Sequence, residues 1–239
     1  MGPLDTPPNN RHRASFTPGM LTLFVFANPL MTVPDKLVLQ SPAPDKTDLA
    51  AKVWSPRQKT RWALANGIVS GQPSTPEYQA SRKDHKGLEP RMAIPSTPQD
   101  FCAEFDIRFS GGTFTKLAPF IEYGHHKARF SFRKDGLSLD ADSGKAKLAT
   151  TDKVTFQDGR WYHVVAEQKG DEVLMQVDGV TLYGTHPSLK EPATKGAAGL
   201  GFCGTQGGTI DIRDLKAWSI KPDYAPGWSE VKAKLVGKS

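Results

Sequence analysis

Two groups of residues in this sequence are of types, and at spacings, that could do chemistry. The first is Glu104-Phe105-Asp106, followed by Arg108. Side chains at i and i+2 of a β-strand point to the same face. Two carboxylates so placed are the raw material of acid/base glycoside hydrolysis, with Glu104 and Asp106 as catalytic candidates. The positions that would hold a third acid are Arg108 and Phe109, so Arg108 is read as a substrate contact or an ion-pair partner. The second group is Glu122, Tyr123, His125 and His126, followed by Arg129 on the next strand. These five are candidate substrate contacts. Adjacent histidines on a strand face opposite ways, and nothing in the spacing supplies a metal ligand set, so the pair is read as metal-free loop histidines. His163 shares its face with Trp161 by parity and is expected in the core. No G-x-S-x-G elbow is present to mark a nucleophilic serine.

The elements that must position these residues are strands. Residues 101–109 alternate strictly, with Phe101, Ala103, Phe105, Ile107 and Phe109 on one face and the polar residues on the other. Residues 158–179 read as a hairpin, entered at Asp158-Gly159, turning at Gly170-Asp171 and leaving at Asp178-Gly179. A second hairpin turns at Asn66-Gly67. Further strands are predicted over residues 88–94, 118–123, 128–132, 137–142, 199–203 and 210–220, with 180–197 as a loop. Short strands separated by turn residues indicate an all-β, two-sheet antiparallel sandwich. A short helix is expected over residues 229–235 with Ser229 as N-cap. Trp54, Trp62 and Trp161 are assigned to the core, and Trp228 to an exposed edge.

The chain has 239 residues, enough for one large all-β domain, here placed at 45–222 with a tail at 223–239. Residues 1–44 read as a disordered N-terminus holding an export signal and a proline-rich linker. Arg11, His12 and Arg13 precede a short apolar run at 20–33, interrupted by Asn28-Pro29 and too short for a membrane span. Cleavage is expected after Ala27, with Ala43 as a later site, so the protein is read as exported. The net charge of +6 comes from basic residues interleaved with acids, without a basic block or an aromatic RNA-binding motif, which excludes nucleic acid as the expected partner. Cys102 and Cys203 cannot form a CxxC site. Whether they pair depends on whether their strands are neighbours; a bond would close a loop of roughly 100 residues, for about 4–5 kcal/mol.

These motifs resemble those of a concanavalin A-like jelly roll of the laminin-G-like type. The resemblance lies in Trp161-Tyr162-His163-Val164 after Asp158-Gly159, Val177-Asp178-Gly179, and Ile210-Asp211-Ile212-Arg213-Asp214-Leu215 before Trp218. Within that superfamily the layout is similar to the 3-keto-disaccharide hydrolase domain, through Trp54, residues 62–67, residues 100–108, the Trp161 hairpin and residues 210–218. That family's NSG and L-Q-x-H-G segments have no counterpart, the second being replaced by GFCGTQGG at 201–208. Glu104 and Asp106 also resemble the start of the ExDx(x)E motif of laminarinase-type glycosidases, lacking its last acid. The resemblance implies a carbohydrate ligand, with non-catalytic recognition ahead of hydrolase or lyase activity and a protein-binding adhesion module as the rival. It implies no cofactor. Calcium, commoner than zinc in laminin-G-like domains, would look to Asp140, Asp142 and Asp178 for oxygen ligands.

Overall fold

The computed structural model describes residues 28–41, 53–115, 117, 119–192 and 199–237. The basic flank, most of the apolar run and most of the proline-rich linker lie outside the described residues. In chain order the strands are β1 (Thr32–Ser41), β2 (Ser55–Pro56), β3 (Arg61–Ala65), β4 (Ile68–Gln72), β5 (Arg91–Ala93), β6 (Phe101–Ser110), β7 (Phe120–Tyr123) and β8 (Ala128–Arg133). They continue as β9 (Gly136–Ala141), β10 (Ala146–Thr151), β11 (Trp161–Lys169), β12 (Glu172–Val177), β13 (Val180–Thr185), β14 (Leu200–Cys203) and β15 (Thr209–Tyr224). The α-helices are α1 (Pro76–Ala80) and α2 (Trp228–Val236).

The strands form two antiparallel sheets, as the alternation predicts. One has the order β13-β12-β11-β6-β15-β4-β3, with β1 also paired to β15; the other runs β10-β9-β8-β7-β14-β5-β2. Phe101, Phe105, Ile107 and Phe109 of β6 meet Ile121, Tyr123, Phe130, Phe132 and Phe202 of the facing sheet in one buried core. Edge-to-face pairs such as Phe105–Phe202, at 5.2 Å between centroids, add directional packing to the area buried. Both predicted hairpins are present. Asn66 and Gly67 have φ of 51° and 74°, the doubly positive pair of a type I′ turn, and Gly170 turns the β11–β12 hairpin at φ 58°.

Three expectations are corrected and one open question is answered. The domain begins before residue 45, because β1 adds to β15 from Thr32 to Ser41, opposite Tyr224 back to Leu215. Cleavage after Ala43 would remove that strand. Residues 180–185 form β13 rather than a loop, continuing from the Asp178-Gly179 corner to pair along all of β12. Trp228 is buried, not exposed: α2 lays it with Met31, Leu174 and Tyr183 in a second apolar cluster on the outer face of the eight-stranded sheet. The cysteines cannot pair. Cys102 alternates with core-facing Phe101 and Ala103, and Cys203 follows core-facing Phe202, so the thiols sit on opposite outer faces with the core between them.

The N-terminal segment is fastened by Glu167 of β11. This buried carboxylate accepts hydrogen bonds from the backbone N–H groups of Leu30, Met31 and Thr32 at 2.9, 3.0 and 2.7 Å. The Thr32 hydroxyl donates a fourth at 2.7 Å. Burial pushes the Glu167 carboxyl up, against these four donors. At the other end of the chain, Glu172 accepts hydrogen bonds from the Tyr183 and Tyr224 hydroxyls and pairs with Lys232 of α2 at 2.7 Å.

Candidate functional site

The sandwich has two outer faces, and they differ. On the eight-stranded sheet, register sets His163 opposite Asp106, Trp161 opposite Arg108, and Asp211 and Arg213 opposite Arg108 and Asp106 from the other side. The charges close on one another. Asp106 binds His163 Nδ1 at 2.9 Å and Arg213 Nε at 2.9 Å. Glu104 lies 3.5 Å from His163 Nε2. Arg108 donates twice to Asp211, at 2.9 and 2.7 Å, and Asp211 also accepts from Ser70. The Arg108 and Arg213 guanidinium carbons lie 4.6 and 4.2 Å from the Trp161 ring centroid. Burial pushes the Asp106 carboxyl up, but its His163 and Arg213 bonds outweigh this and hold it below the usual range. The hydrogen bond to Asp106 raises His163 above an ordinary histidine. His163 and Trp161 are therefore outer-face residues, not core. With α2 and the β1 entry packed farther along, this face is an ion-paired lattice.

The outer face of the seven-stranded sheet is open. Cross-strand pairing lines up Gly201, Glu122, Arg129, Asp140 and Lys147 in one row. The neighbouring row runs Arg91, Cys203, Phe120, Ser131, Ser138 and Thr150. Above these rows lie three hollows of about 700, 590 and 550 Å³. The first two share Phe120, the first and third share Arg129, and the last two share Arg91 and His126, so they form one trough across the sheet. The loop from Lys83 to Glu89 walls one end.

Within the trough Arg129 is the central side chain. Its guanidinium lies 4.1 Å from the Phe120 centroid and donates to Glu122 Oε1 at 3.0 Å. It also lies 3.2 Å from His126 Nδ1. The β7–β8 turn uses positive φ at Gly124 (61°) and His126 (64°), and the His126 N–H donates to Glu122 Oε1 at 3.1 Å. This places His125 beside His126 with ring centroids 3.9 Å apart. One ligand atom from each of Glu122, His125 and His126 lies within 4.8 Å of the others. Arg129 puts positive charge on the same Glu122 oxygen and the same His126 nitrogen, which opposes a cation there.

No protein-family model matches the chain, and no curated protein matches it. Solved structures do. One, from work on endo-acting O-glycanases that prominent human gut microbiota express to initiate mucin breakdown, aligns at TM-score 0.52 and 10% identity over 78% of this chain and 100% of that one. The fold is a concanavalin A-like jelly roll. Carbohydrate-binding module CBM66 from Bacillus subtilis (15% identity, 70% and 92% coverage, TM-score 0.39) also matches. So does the exoplasmic/lumenal domain of VIP36 in its Ca²⁺- and mannose-bound form (10%, 74% and 87%, TM-score 0.47).

The jelly roll thus splits the sequence candidates between its two outer faces. Glu122, His125, His126 and Arg129 come together in the trough. Glu104, Asp106 and Arg108 lie on the opposite face, in the ion-paired lattice. Tyr123 is no substrate contact. Its side chain points into the core opposite to Glu122, fully buried, and its hydroxyl donates to the Leu174 carbonyl at 3.0 Å. Asp140, Asp142 and Asp178 form no ligand cluster among the described residues; Asp178 belongs to the other sheet and binds Arg160 at 2.7 Å and the His163 N–H at 2.9 Å. Sequence reading missed Arg91, Ser131, Ser138 and Lys147 as trough residues. The alternation Arg129-Phe130-Ser131-Phe132-Arg133 carried the signal for Ser131. Nothing local marks Arg91 or Lys147, because β5 is three residues long and β10 lacks a clean alternation.

Proposed function

We propose that this jelly roll recognises a carbohydrate along the outer trough of its seven-stranded sheet, without cleaving it. One observation carries the reading. The two outer faces are built from similar residues, yet across one the charges of neighbouring strands are matched in mutual ion pairs, while over the other the side chains leave a long open trough. That trough has a polar floor (Ser131, Ser138, Asp140) beside an aromatic ring (Phe120) capped by Arg129. Sugars need polar groups that exchange hydrogen bonds with their hydroxyls, and this floor with Arg129 above the buried Phe120 ring supplies them. Three carboxylates that line the trough are taken up in ion pairs, which favours binding over hydrolysis. Glu122, Glu89 and Asp135 each face an arginine, at 3.0, 3.5 and 3.3 Å. A carboxylate held by an arginine is occupied as an ion-pair acceptor and is not left free as one of an acid/base couple.

Ser131→Trp tests the reading by filling the trough floor from a position whose side chain is outside the core. Wild type is expected to retain at least one glycan class on an array of plant, algal, bacterial and mucin-type saccharides. The variant should lose that binding by about tenfold or more at an unchanged melting temperature. Wild type that binds no glycan, or binding that Ser131→Trp leaves intact, overturns the proposal.

A further inference from the structure

The loop-walled end of the trough has a charge pattern that narrows the class of ligand. Lys83, Lys86, Arg91 and Arg129 line it against two carboxylates, Asp84 and Glu89. The two arginines are under-used. Arg129 engages Glu122 and His126 only through Nη2, and Arg91 engages Glu89 only through Nη2, at a long 3.5 Å. The Nε of each is buried with no hydrogen-bond partner among the described residues. Their side chains are 22% and 20% exposed; Arg91 has one long ion pair in exchange for its water, and Arg129 has one carboxylate, His126 and the Phe120 face, so each keeps donors without a carboxylate partner. A guanidinium can only donate. A neutral sugar hydroxyl is a weak acceptor for it, whereas a carboxylate or sulfate presents paired oxygens that match its fork.

We infer that the ligand is an acidic glycan, a uronate-bearing or sulfated oligosaccharide. Its anionic group sits between Arg91 and Arg129 at the Lys83–Glu89 end, and its hydroxyls run over Ser131, Ser138 and Asp140. This rests on the trough being a glycan site. The complementary arrangement at the far end, where Asp140 is paired across strands with Lys147, supplies both acceptor and donor for hydroxyls and adds no net charge.

The experiment is calorimetric titration of the intact protein with polygalacturonate and chondroitin sulfate, with neutral laminarin and mannan alongside, and with single-stranded DNA as a non-glycan polyanion. Binding of polygalacturonate, chondroitin sulfate or both is expected, weakening by about tenfold between 50 and 300 mM salt as screening sets in. Polygalacturonate carries carboxylates alone and chondroitin sulfate both carboxylates and sulfates, so binding of polygalacturonate shows that a carboxylate suffices, binding of chondroitin sulfate alone points to the sulfate, and either result supports the inference. Arg91→Gln and Arg129→Gln should each weaken binding by about tenfold. Lys83→Gln with Lys86→Gln, on the exposed loop, should cost about threefold without touching the sheet. Preference for laminarin or mannan, still blocked by Ser131→Trp, overturns the acidic ligand and leaves the trough as a glycan site. No binding to any glycan overturns both. DNA bound as tightly as the acidic glycans also overturns the inference.

Discussion

Glu167 offers the sharpest test of how the N-terminal strand is held. Replacing it with alanine strands three backbone N–H groups and a hydroxyl, of which the Met31 and Thr32 groups are buried. Each hydrogen bond to a charged acceptor contributes about 1.5–3 kcal/mol, and the cost of burying the carboxylate offsets several kcal/mol of their sum. The net expectation for Glu167→Ala is a loss of about 3–5 kcal/mol. In a chain of this length that is a fall in Tm of roughly 6–20 °C. Glu167→Gln is a graded control, because Oε2 alone receives three of the four donors and Oε1 only the Leu30 N–H. An amide oxygen at the Oε2 position would keep those three. The cost then reduces to the Leu30 bond and the lost charge, about 1–2 kcal/mol. Urea unfolding followed by tryptophan fluorescence gives both values. Loss of less than about 1 kcal/mol in the alanine variant, or equal losses in the two, would refute the clamp.

Two further outcomes follow from the lattice and from the trough wall. His163 is raised by its bond to Asp106, so its contribution is complete below its unfolded value of about 6.5 and is lost as pH rises through its folded value. Asp106, held low, works in the opposite sense, its contribution fading as pH falls through its folded value below about 3.8. His163→Gln should therefore cost about 1 kcal/mol at pH 6 and flatten the decline of Tm between pH 6.5 and 9, read by thermal melts across that range; an unchanged slope would exclude the imidazolium. Gly136 begins β9 at φ 149°, where an added Cβ would lie 2.0 Å from the Thr151 carbonyl oxygen. Gly136→Ala is expected to cost about 2–4 kcal/mol in denaturant unfolding, through strain and forced movement of β10. A neutral result would show that β10 yields freely.

Much of the architecture is legible in the chain because it depends on local alternation and turn chemistry. The five apolar residues of 101–109, the Asn66-Gly67 turn and the Gly170-Asp171 turn each state a strand or a reversal within a few residues, and each is found. Where the sequence reading slipped, the deciding contact is distant. β1 carries Pro34, Asp35 and Lys36 and shows no clean period; what makes it a strand is the free edge of β15 and the Glu167 carboxylate more than 130 residues away. β13 was within reach, since Asp178-Gly179 closes a second hairpin as well as the first. Trp228 is polar-flanked in sequence and buried only because Met31, Leu174 and Tyr183 arrive from three other elements.

The fold class and the inward stripe of residues 101–109 are legible from the chain alone, because alternation along a strand is a local property; the β11 stripe is not, since Trp161 and His163 read as core and lie on the outer face. Which polar stripe is open depends on how the strands pair. Glu104, Asp106 and Arg108 look as chemical in sequence as Glu122, His126 and Arg129. Pairing with β11 and β15 brings His163, Arg213 and Asp211 against the first set and satisfies it, while the second set lies on strands whose neighbours leave Arg91 and Arg129 short of acceptors. Charge compensation across strands is a property of sheet order, and sheet order is a long-range contact that spacing along the chain does not encode.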